Sequence, residues 1–233
     1  MSPSDLAANT DVMRRDDAEA GAPAYNRFMA GISATNENAD PHITAIGHSY
    51  GSLTVGLAAQ EKGGIPGADD IILVGSPGTG AKTADELNVG KDHVFVGAAD
   101  NDIVTKLPNH NEASGMGAGA AGGGSAGLVL GLGMGGPVGG VVGGAVGTAV
   151  GGLAGYMAQD QQTDPGEIWF GTDPANKEFE ATRFLVDDGP TVIQGGTDAH
   201  SQYFTPTKDQ MSADNIAHIV VGKSDDIILE QPR

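Results

Sequence analysis

Cysteine is absent from this 233-residue chain, and basic and aromatic residues are scarce. Without cysteine there are no disulfides, no thiolate metal ligands and no cysteine nucleophile. Twelve basic residues stand against 30 acidic ones, which gives a formal net charge of −18. A surface this acidic repels phosphate backbones, and we therefore expect no nucleic-acid partner.

The first residues of the sequence do not have the pattern of a secretory leader. Residues 1–15 are polar and contain no apolar stretch of the kind that signal peptides carry. The sequence therefore predicts a cytoplasmic location by default. Membrane association and export by a route that needs no signal peptide are the alternatives.

What the chain does contain is a G-x-S-x-G pentapeptide in a specific setting. The extended run 42–46 leads into Gly47-His48-Ser49-Tyr50-Gly51, and a helical pattern of small residues follows over 52–62. Strand, sharp turn and helix together predict a nucleophile elbow with Ser49 exposed at its tip, its flanking glycines avoiding collisions with the strand and the helix. The backbone N–H of Tyr50 would then face a developing oxyanion. The alternative is an ordinary turn in a parallel sheet.

Other segments indicate a parallel α/β sheet around this turn. The continuous apolar run at 71–74 is typical of a strand that is buried on both faces, and 93–96 is predicted to be a third strand. A helical pattern covers 12–36, with one stripe formed by Ala20, Ala24, Phe28 and Ile32, and a second amphipathic helix is predicted at 209–221. Strands that alternate with helices favour an α/β fold.

Candidate partners for Ser49 come from two later loops. Asp100 and Asp102 follow the run 93–96, where the working residues of an α/β sheet lie, although aspartates are also ordinary turn residues. His200 lies late in the chain, in a loop before the last helix. The order serine, aspartate, histidine is the order of α/β-hydrolase triads. We expect the His48 side chain to leave the elbow on the side away from the site.

The middle of the chain, residues 113–159, contains no charged residue. Glycine recurs there at every fourth position from Gly115 to Gly155, and Pro137 lies near the midpoint. This glycine-zipper pattern has three interpretations: a flexible linker, a helical hairpin packed on itself or on another copy, and a hairpin that enters a membrane or acts as a lid. The predicted division is 1–112 and 160–233 as two parts of one domain, with 113–159 inserted between them.

Several stretches resemble the actinobacterial α/β-hydrolase family called domain of unknown function 1023. They are GHSYGS (47–52), ILVGSPG (72–78), GAADND (97–102), FGTDP (170–174) and HSQYF (200–204). The resemblance covers most of 12–221 outside the glycine-rich insert. It implies an α/β-hydrolase fold and a triad of Ser49, Asp102 and His200, with Asp100 as the alternative acid.

The sequence departs from the family pattern near its start. Relatives have earlier strands, and the loop after one of them supplies a second oxyanion N–H. Nothing before residue 12 offers that strand, so we expect an exposed edge beside strand 42–46. We also expect a weakened oxyanion site, or a substitute donor from the loop 76–80.

These observations predict a serine hydrolase that acts on an ester, thioester or amide, with a small-molecule or lipid-like substrate and no metal or organic cofactor. The alternative is a membrane-associating or self-associating protein that acts through residues 113–159 on an inactive hydrolase scaffold. A catalytically inactive binding module is a third hypothesis.

Overall fold

A sheet of four short parallel strands forms the centre of the fold. The structure is a computed structural model, and it describes residues 14–107, 109 and 166–233. The strands in these residues are β1 (Thr44–His48), β2 (Asp70–Val74), β3 (Val94–Gly97), β4 (Glu167–Ile168), β5 (Gly171–Thr172) and β6 (Thr182–Arg183). The sheet has the order β1-β2-β3-β6, and every neighbouring pair in it is parallel. A separate antiparallel hairpin is formed by β4 and β5.

Helices cover both faces of the sheet. They are α1 (Asp16–Thr35), α2 (Gly51–Gln60), α3 (Val192–Gly195), α4 (Asp198–Ser201) and α5 (Gln210–Val220). Strand β2 is buried along its whole length, and its side chains alternate between two cores. Ile71 and Leu73 pack with residues of α1 and α2, whereas Ile72 and Val74 pack with residues of α5. This two-sided burial explains the continuous apolar run in the sequence.

The apolar stripe predicted for α1 is wrong. The buried residues of α1 are Ala18, Ala22 and Met29, whereas Phe28 of the predicted stripe is 63% exposed. The reason is the partner: α2 presents small residues such as Ala58 and Ala59, so small residues of α1 give the closest approach. Phe28 and Ile32 of the predicted stripe are left on the outer face.

Strand β1 lies at the end of the sheet in the described part of the chain. It pairs with β2 on one side, and Ile46 at its middle is 38% exposed. This is the exposed edge that the sequence predicts. The consequence for function is that the elbow, which follows β1 directly, lies at the border of the described sheet.

Two other histidines, His42 and His93, lie at the opposite end of the sheet from Ser49 and contact one aspartate there. His42 Nε2 lies 2.8 Å from Asp70 Oδ2, and His93 Nδ1 lies 2.8 Å from Asp70 Oδ1. The Asp70 carboxylate is almost fully buried, and the two imidazoles provide the polar partners that a buried carboxylate needs. This cluster joins the beginnings of β1, β2 and β3, and it lies far from the carboxyl ends where a site is expected.

The glycine-rich segment 113–159 lies outside the described residues. Its zipper pattern and the division into 1–112, 113–159 and 160–233 therefore stay predictions. Among the residues that the structure describes, no helix is both long and apolar enough to cross a membrane.

Candidate active site

Ser49 occupies a strained turn between β1 and α2. Its φ is +56°, a left-handed value that costs about 1–3 kcal/mol for a residue other than glycine. The turn is held by the Ser49 N–H, which donates to the Val74 carbonyl at 3.1 Å, and by the Ser52 N–H, which donates to the Ser49 carbonyl at 2.9 Å. This is the conformation that a nucleophile elbow requires.

The two glycines of the motif differ in what they contribute. A Cβ on Gly47 would lie 2.7 Å from the Cα of Ser52, so glycine is required there. A Cβ on Gly51 would meet nothing within 4 Å. The prediction that both glycines avoid collisions is therefore correct for Gly47 and wrong for Gly51.

The Tyr50 side chain connects the elbow to α1. Its hydroxyl donates to the Arg14 carbonyl at 2.7 Å and accepts the N–H of Ala18 at 3.1 Å. Helix α1 has no capping side chain of its own at Arg15, so the Tyr50 phenol satisfies one of the free N–H groups of its first turn. Tyr50 itself immediately precedes α2, where its backbone N–H lies beside Ser49.

Asp102 and His200 are in direct contact. His200 Nδ1 lies 3.0 Å from Asp102 Oδ1 and 2.9 Å from Oδ2, and the Asp102 side chain is fully buried. Because an ionised carboxylate only accepts, the proton of the neutral His200 ring is on Nδ1. Nε2 is then free to accept a proton, as a general base must.

Tyr203 is a site residue that the sequence analysis missed. Its hydroxyl donates to Asp102 Oδ2 at 2.7 Å and accepts the Ala99 N–H at 3.0 Å. Burial, and then the charge of Asp102, raises the pKa of Tyr203 well above its ordinary value, so the phenol stays a donor. The Val104 N–H donates to the other oxygen of Asp102 at 2.9 Å. The one sequence signal for Tyr203 is its place in the HSQYF stretch (200–204), which also contains His200.

Replacing Tyr203 by phenylalanine is expected to slow the chemistry of the site about tenfold, which corresponds to about 1.4 kcal/mol. The variant loses one donor to Asp102 and leaves the buried Ala99 N–H without an acceptor. The measurement is the rate of serine labelling by a fluorophosphonate, together with the free energy of unfolding in urea. A Tyr203→Phe protein that is less stable but labels at the wild-type rate would contradict the role.

Gly75 makes room for the acid–base pair. Its φ is +57°, and a Cβ there would lie 2.9 Å from Asp102 Oδ2 and 3.0 Å from His200 Nδ1. Val74, the residue before Gly75, accepts the hydrogen bond from the Ser49 N–H at its carbonyl. In the described part of the chain no hydrogen bond joins the Ser49 hydroxyl to His200. Such bonds are often long in enzymes without substrate.

The direction expected for the His48 side chain is wrong. The His48 ring lies against the His200 ring, with centroids 4.7 Å apart, and its Nε2 is 2.8 Å from the His200 carbonyl oxygen. In the structure His48 is the last residue of β1 and not a turn residue. Its side chain therefore follows the alternation of the strand.

Asp100, the alternative acid, does not contact the base. Its side chain is 61% exposed and lies 3.6 Å from both Arg183 and Arg233. The Arg183 guanidinium also donates to the Ala98 carbonyl at 2.9 Å. The two arginines thus support the loop that carries Asp102, and the geometry favours Asp102 as the acid.

The same arginine cluster contains a buried carboxyl group, Asp173. Desolvation by burial raises the pKa of Asp173, although Arg233, 3.5 Å away, opposes the shift. A carboxyl group whose pKa is higher in the folded state binds its proton more tightly there, so it stabilises the fold at low pH. That contribution is lost as the pH rises through the folded-state pKa.

A comparison of wild type with Asp173→Asn tests this effect. The free energy of unfolding of the wild type is expected to fall, relative to the variant, as the pH rises from about 4 towards 7, because only the wild type must ionise a buried group. Urea unfolding at several pH values measures the difference. A difference that is independent of pH would contradict the prediction.

The loop 76–80 is a poor source of a second oxyanion donor. The Gly78 N–H donates to Ser76 Oγ at 3.1 Å, and the Gly80 N–H donates to the Phe170 carbonyl at 2.9 Å. Both N–H groups are therefore engaged within the fold. The expectation that this loop replaces a missing donor gains no support from these two residues.

Residues 1–112 match a family model described as "Alpha/beta hydrolase". The matched segment is just under half of the chain; it includes the elbow and Asp102 and ends before His200. Together with the parallel sheet flanked by helices, the match confirms the predicted fold class, an α/β-hydrolase-like fold. It also supports a hydrolase-like scaffold.

The curated relatives are mycobacterial and carry no described activity. The chain is 46% identical over 94 residues to the uncharacterized protein Rv0963c of Mycobacterium tuberculosis, which is 40% of this chain and 34% of that protein. The uncharacterized protein Mb0988c of Mycobacterium bovis matches equally. The uncharacterized protein Rv2079 of Mycobacterium tuberculosis is 36% identical over 91 residues, or 14% of its length. The chain thus spans about a third or less of these relatives, and no solved structure matches it.

Proposed function

We propose that the chain is a serine hydrolase with Ser49 as nucleophile, His200 as general base and Asp102 as the acid that orients the base. One observation carries this proposal: the buried Asp102 carboxylate holds the His200 ring against Gly75, and Ser49, in the strained elbow conformation, donates its N–H to the carbonyl of the preceding residue, Val74. The assignment also fits the resemblance to the actinobacterial α/β-hydrolase family. The bonds cleaved are those of an ester, thioester or amide.

The proposed reaction has two halves. Ser49 Oγ attacks the carbonyl carbon while His200 Nε2 takes the hydroxyl proton, and the oxyanion accepts a hydrogen bond from the Tyr50 N–H. His200 then gives its proton to the leaving group, and an acyl-enzyme remains on Ser49. Water attacks the acyl group in the second half, with His200 again as base, and the acid product and free Ser49 result.

The surroundings of Asp102 favour its part in this scheme. The carboxylate accepts from Tyr203, from the Val104 N–H and from His200, so both of its oxygens have donors and its orientation is fixed. A buried negative charge at this distance stabilises the imidazolium that forms when Ser49 loses its proton. The network is therefore organised before substrate arrives.

For the substrate we propose a small-molecule or lipid-like ester. Phe204 offers an apolar surface for such a group, because its side chain is 48% exposed and its ring lies at 89° to the His48 ring, with centroids 5.8 Å apart. No nucleic-acid partner is proposed, given the net charge of −18. The proposed location is cytoplasmic, or membrane-associated through the segment 113–159.

A fluorophosphonate probe tests the proposal, since it phosphonylates only serines that a neighbouring base activates. We expect one adduct per chain on the peptide that contains Ser49, located by mass spectrometry. The Ser49→Ala variant is the matched blank, and heat-unfolded protein controls for nonspecific reaction. Hydrolysis of p-nitrophenyl esters of increasing acyl length then addresses the substrate.

Two outcomes would contradict the proposal. An adduct on a serine other than Ser49 would show that the elbow is not the reactive centre. A folded chain that forms no adduct, with circular dichroism and thermal unfolding confirming the fold, would make the chain an inactive hydrolase scaffold. The self-association or membrane role of residues 113–159 would then become the leading hypothesis.

A further inference from the structure

His48 lies at the junction between the nucleophile and the base. It is the last residue of β1 and directly precedes Ser49, and its Nε2 lies 2.8 Å from the backbone carbonyl oxygen of His200. The two imidazole rings are 4.7 Å apart and tilted by 30°. Two further aromatic rings lie close to the His48 ring, with centroid distances of 6.0 Å for Tyr203 and 5.8 Å for Phe204.

The hydrogen bond fixes the protonation of His48. A carbonyl oxygen only accepts, so the proton of the His48 ring must be on Nε2. Burial lowers the pKa of His48, and this effect outweighs the hydrogen bond to the His200 carbonyl, which acts to raise it. His48 therefore remains a neutral donor while His200 gains and loses its proton.

The base needs such support because the element that carries it is short. His200 lies in α4, a helix of four residues, and a single helical turn is not stable without tertiary contacts. The Asp102 contact holds the His200 ring through Nδ1. The His48 bond holds the His200 backbone, and it does so from the strand that ends at the nucleophile.

From this geometry we infer that His48 is a positioning residue, which sets the distance between Ser49 and His200 by hydrogen bonding to the His200 carbonyl and stacking on its ring. The inference rests on the proposed function in so far as it assigns His200 the role of base. His48 transfers no proton in this scheme.

Three substitutions separate the contributions of His48. Glutamine can place an amide N–H near the position of Nε2, so His48→Gln keeps the donor. Asparagine places its amide near the position of Nδ1, so His48→Asn is a matched variant that loses the bond. His48→Phe keeps an aromatic ring and lacks the donor. All three remove the imidazole, so a loss that is merely structural would affect glutamine and asparagine alike.

The rate of fluorophosphonate labelling should distinguish the variant that keeps the hydrogen bond from the two that lose it. We expect His48→Gln to label within about threefold of wild type, and His48→Asn and His48→Phe to label about 10- to 100-fold more slowly, the size of effect that a displacement of about 1 Å produces. Thermal unfolding should give similar midpoints for the glutamine and asparagine variants. Equal labelling rates for these two variants would overturn the inference.

A second readout does not depend on activity. The ring signals of His200 can be followed by NMR across a pH titration in wild type, His48→Gln and His48→Asn. Both variants lose the His48 ring and its effect on nearby shifts, so they are compared with each other. We expect the signal of the His200 Nδ1–H, which lies against Asp102, to persist in the glutamine variant and to broaden in the asparagine variant. Identical His200 spectra in these two variants would overturn the inference. If the wild type forms no adduct with the probe, the proposed function fails, while the NMR comparison still decides on His48.

Discussion

Asp102→Asn is expected to slow labelling and hydrolysis by about 10⁴-fold, the effect that this exchange has in Ser-His-Asp triads. The physical reason is the set of donors around the side chain. One oxygen of Asp102 accepts from Tyr203 and the other from the Val104 N–H, while His200 Nδ1 lies within 3.0 Å of both. Wherever the amide group of asparagine is placed, its hydrogens face a donor. The His200 ring would then lose its orientation or change tautomer.

Asp100→Asn is the matched control for this experiment. It removes the same charge two residues earlier, from a side chain that is exposed and contacts arginines. We expect its labelling rate to stay within about twofold of wild type, because exposed ion pairs contribute about 0–1 kcal/mol. Equal losses in both variants would mean that the loop and not the Asp102 carboxylate determines reactivity.

Gly47→Ala should cause the largest loss of stability among the substitutions considered. The added Cβ would lie 2.7 Å from the Cα and 3.0 Å from the backbone N of Ser52, and backbone atoms cannot rotate away as a side chain can. The first turn of α2 must move instead. We expect the free energy of unfolding to fall by about 1–3 kcal/mol or more, which is the usual cost of overpacking. Urea unfolding measures it, and labelling should be lost in parallel.

Gly51→Ala is the control within the same motif. A Cβ at this position meets nothing within 4 Å, and the residue begins α2. Alanine is favoured over glycine in helices by up to about 1 kcal/mol, so stability should stay the same or rise slightly. If Gly51→Ala is as damaging as Gly47→Ala, then the explanation from close contact at Gly47 is wrong.

The sequence was most informative where a local pattern requires one geometry. Strand, pentapeptide and helix predict the elbow, and the structure gives Ser49 the positive φ that an elbow needs. The order of residues also led to Asp102 and His200, which the structure brings into contact. Local rules suffice here because a strained turn and the carboxyl ends of parallel strands impose their own constraints.

Side-chain directions and long-range partners were less accessible. The G-x-S-x-G pattern places His48 in the turn, whereas β1 extends to His48, and that difference decides which way its ring points. Tyr203 reaches Asp102, 101 residues earlier in the chain, and no periodicity reports such a pair. The predicted stripe on α1 is wrong because the faces of an alanine-rich helix differ little in hydrophobicity, so packing against α2 determines which face is buried.

The contact between Tyr50 and the first turn of α1 links the mobility of the elbow to an amide in another helix. The amide hydrogen of Ala18 is held by the phenol of the residue that follows the nucleophile, 32 positions along the chain. If the turn at Ser49 loosens, the phenol moves and that amide becomes open to exchange with solvent deuterium. The exchange rate of the Ala18 amide therefore reports how often the turn at Ser49 opens, although Ala18 takes no part in the proposed chemistry.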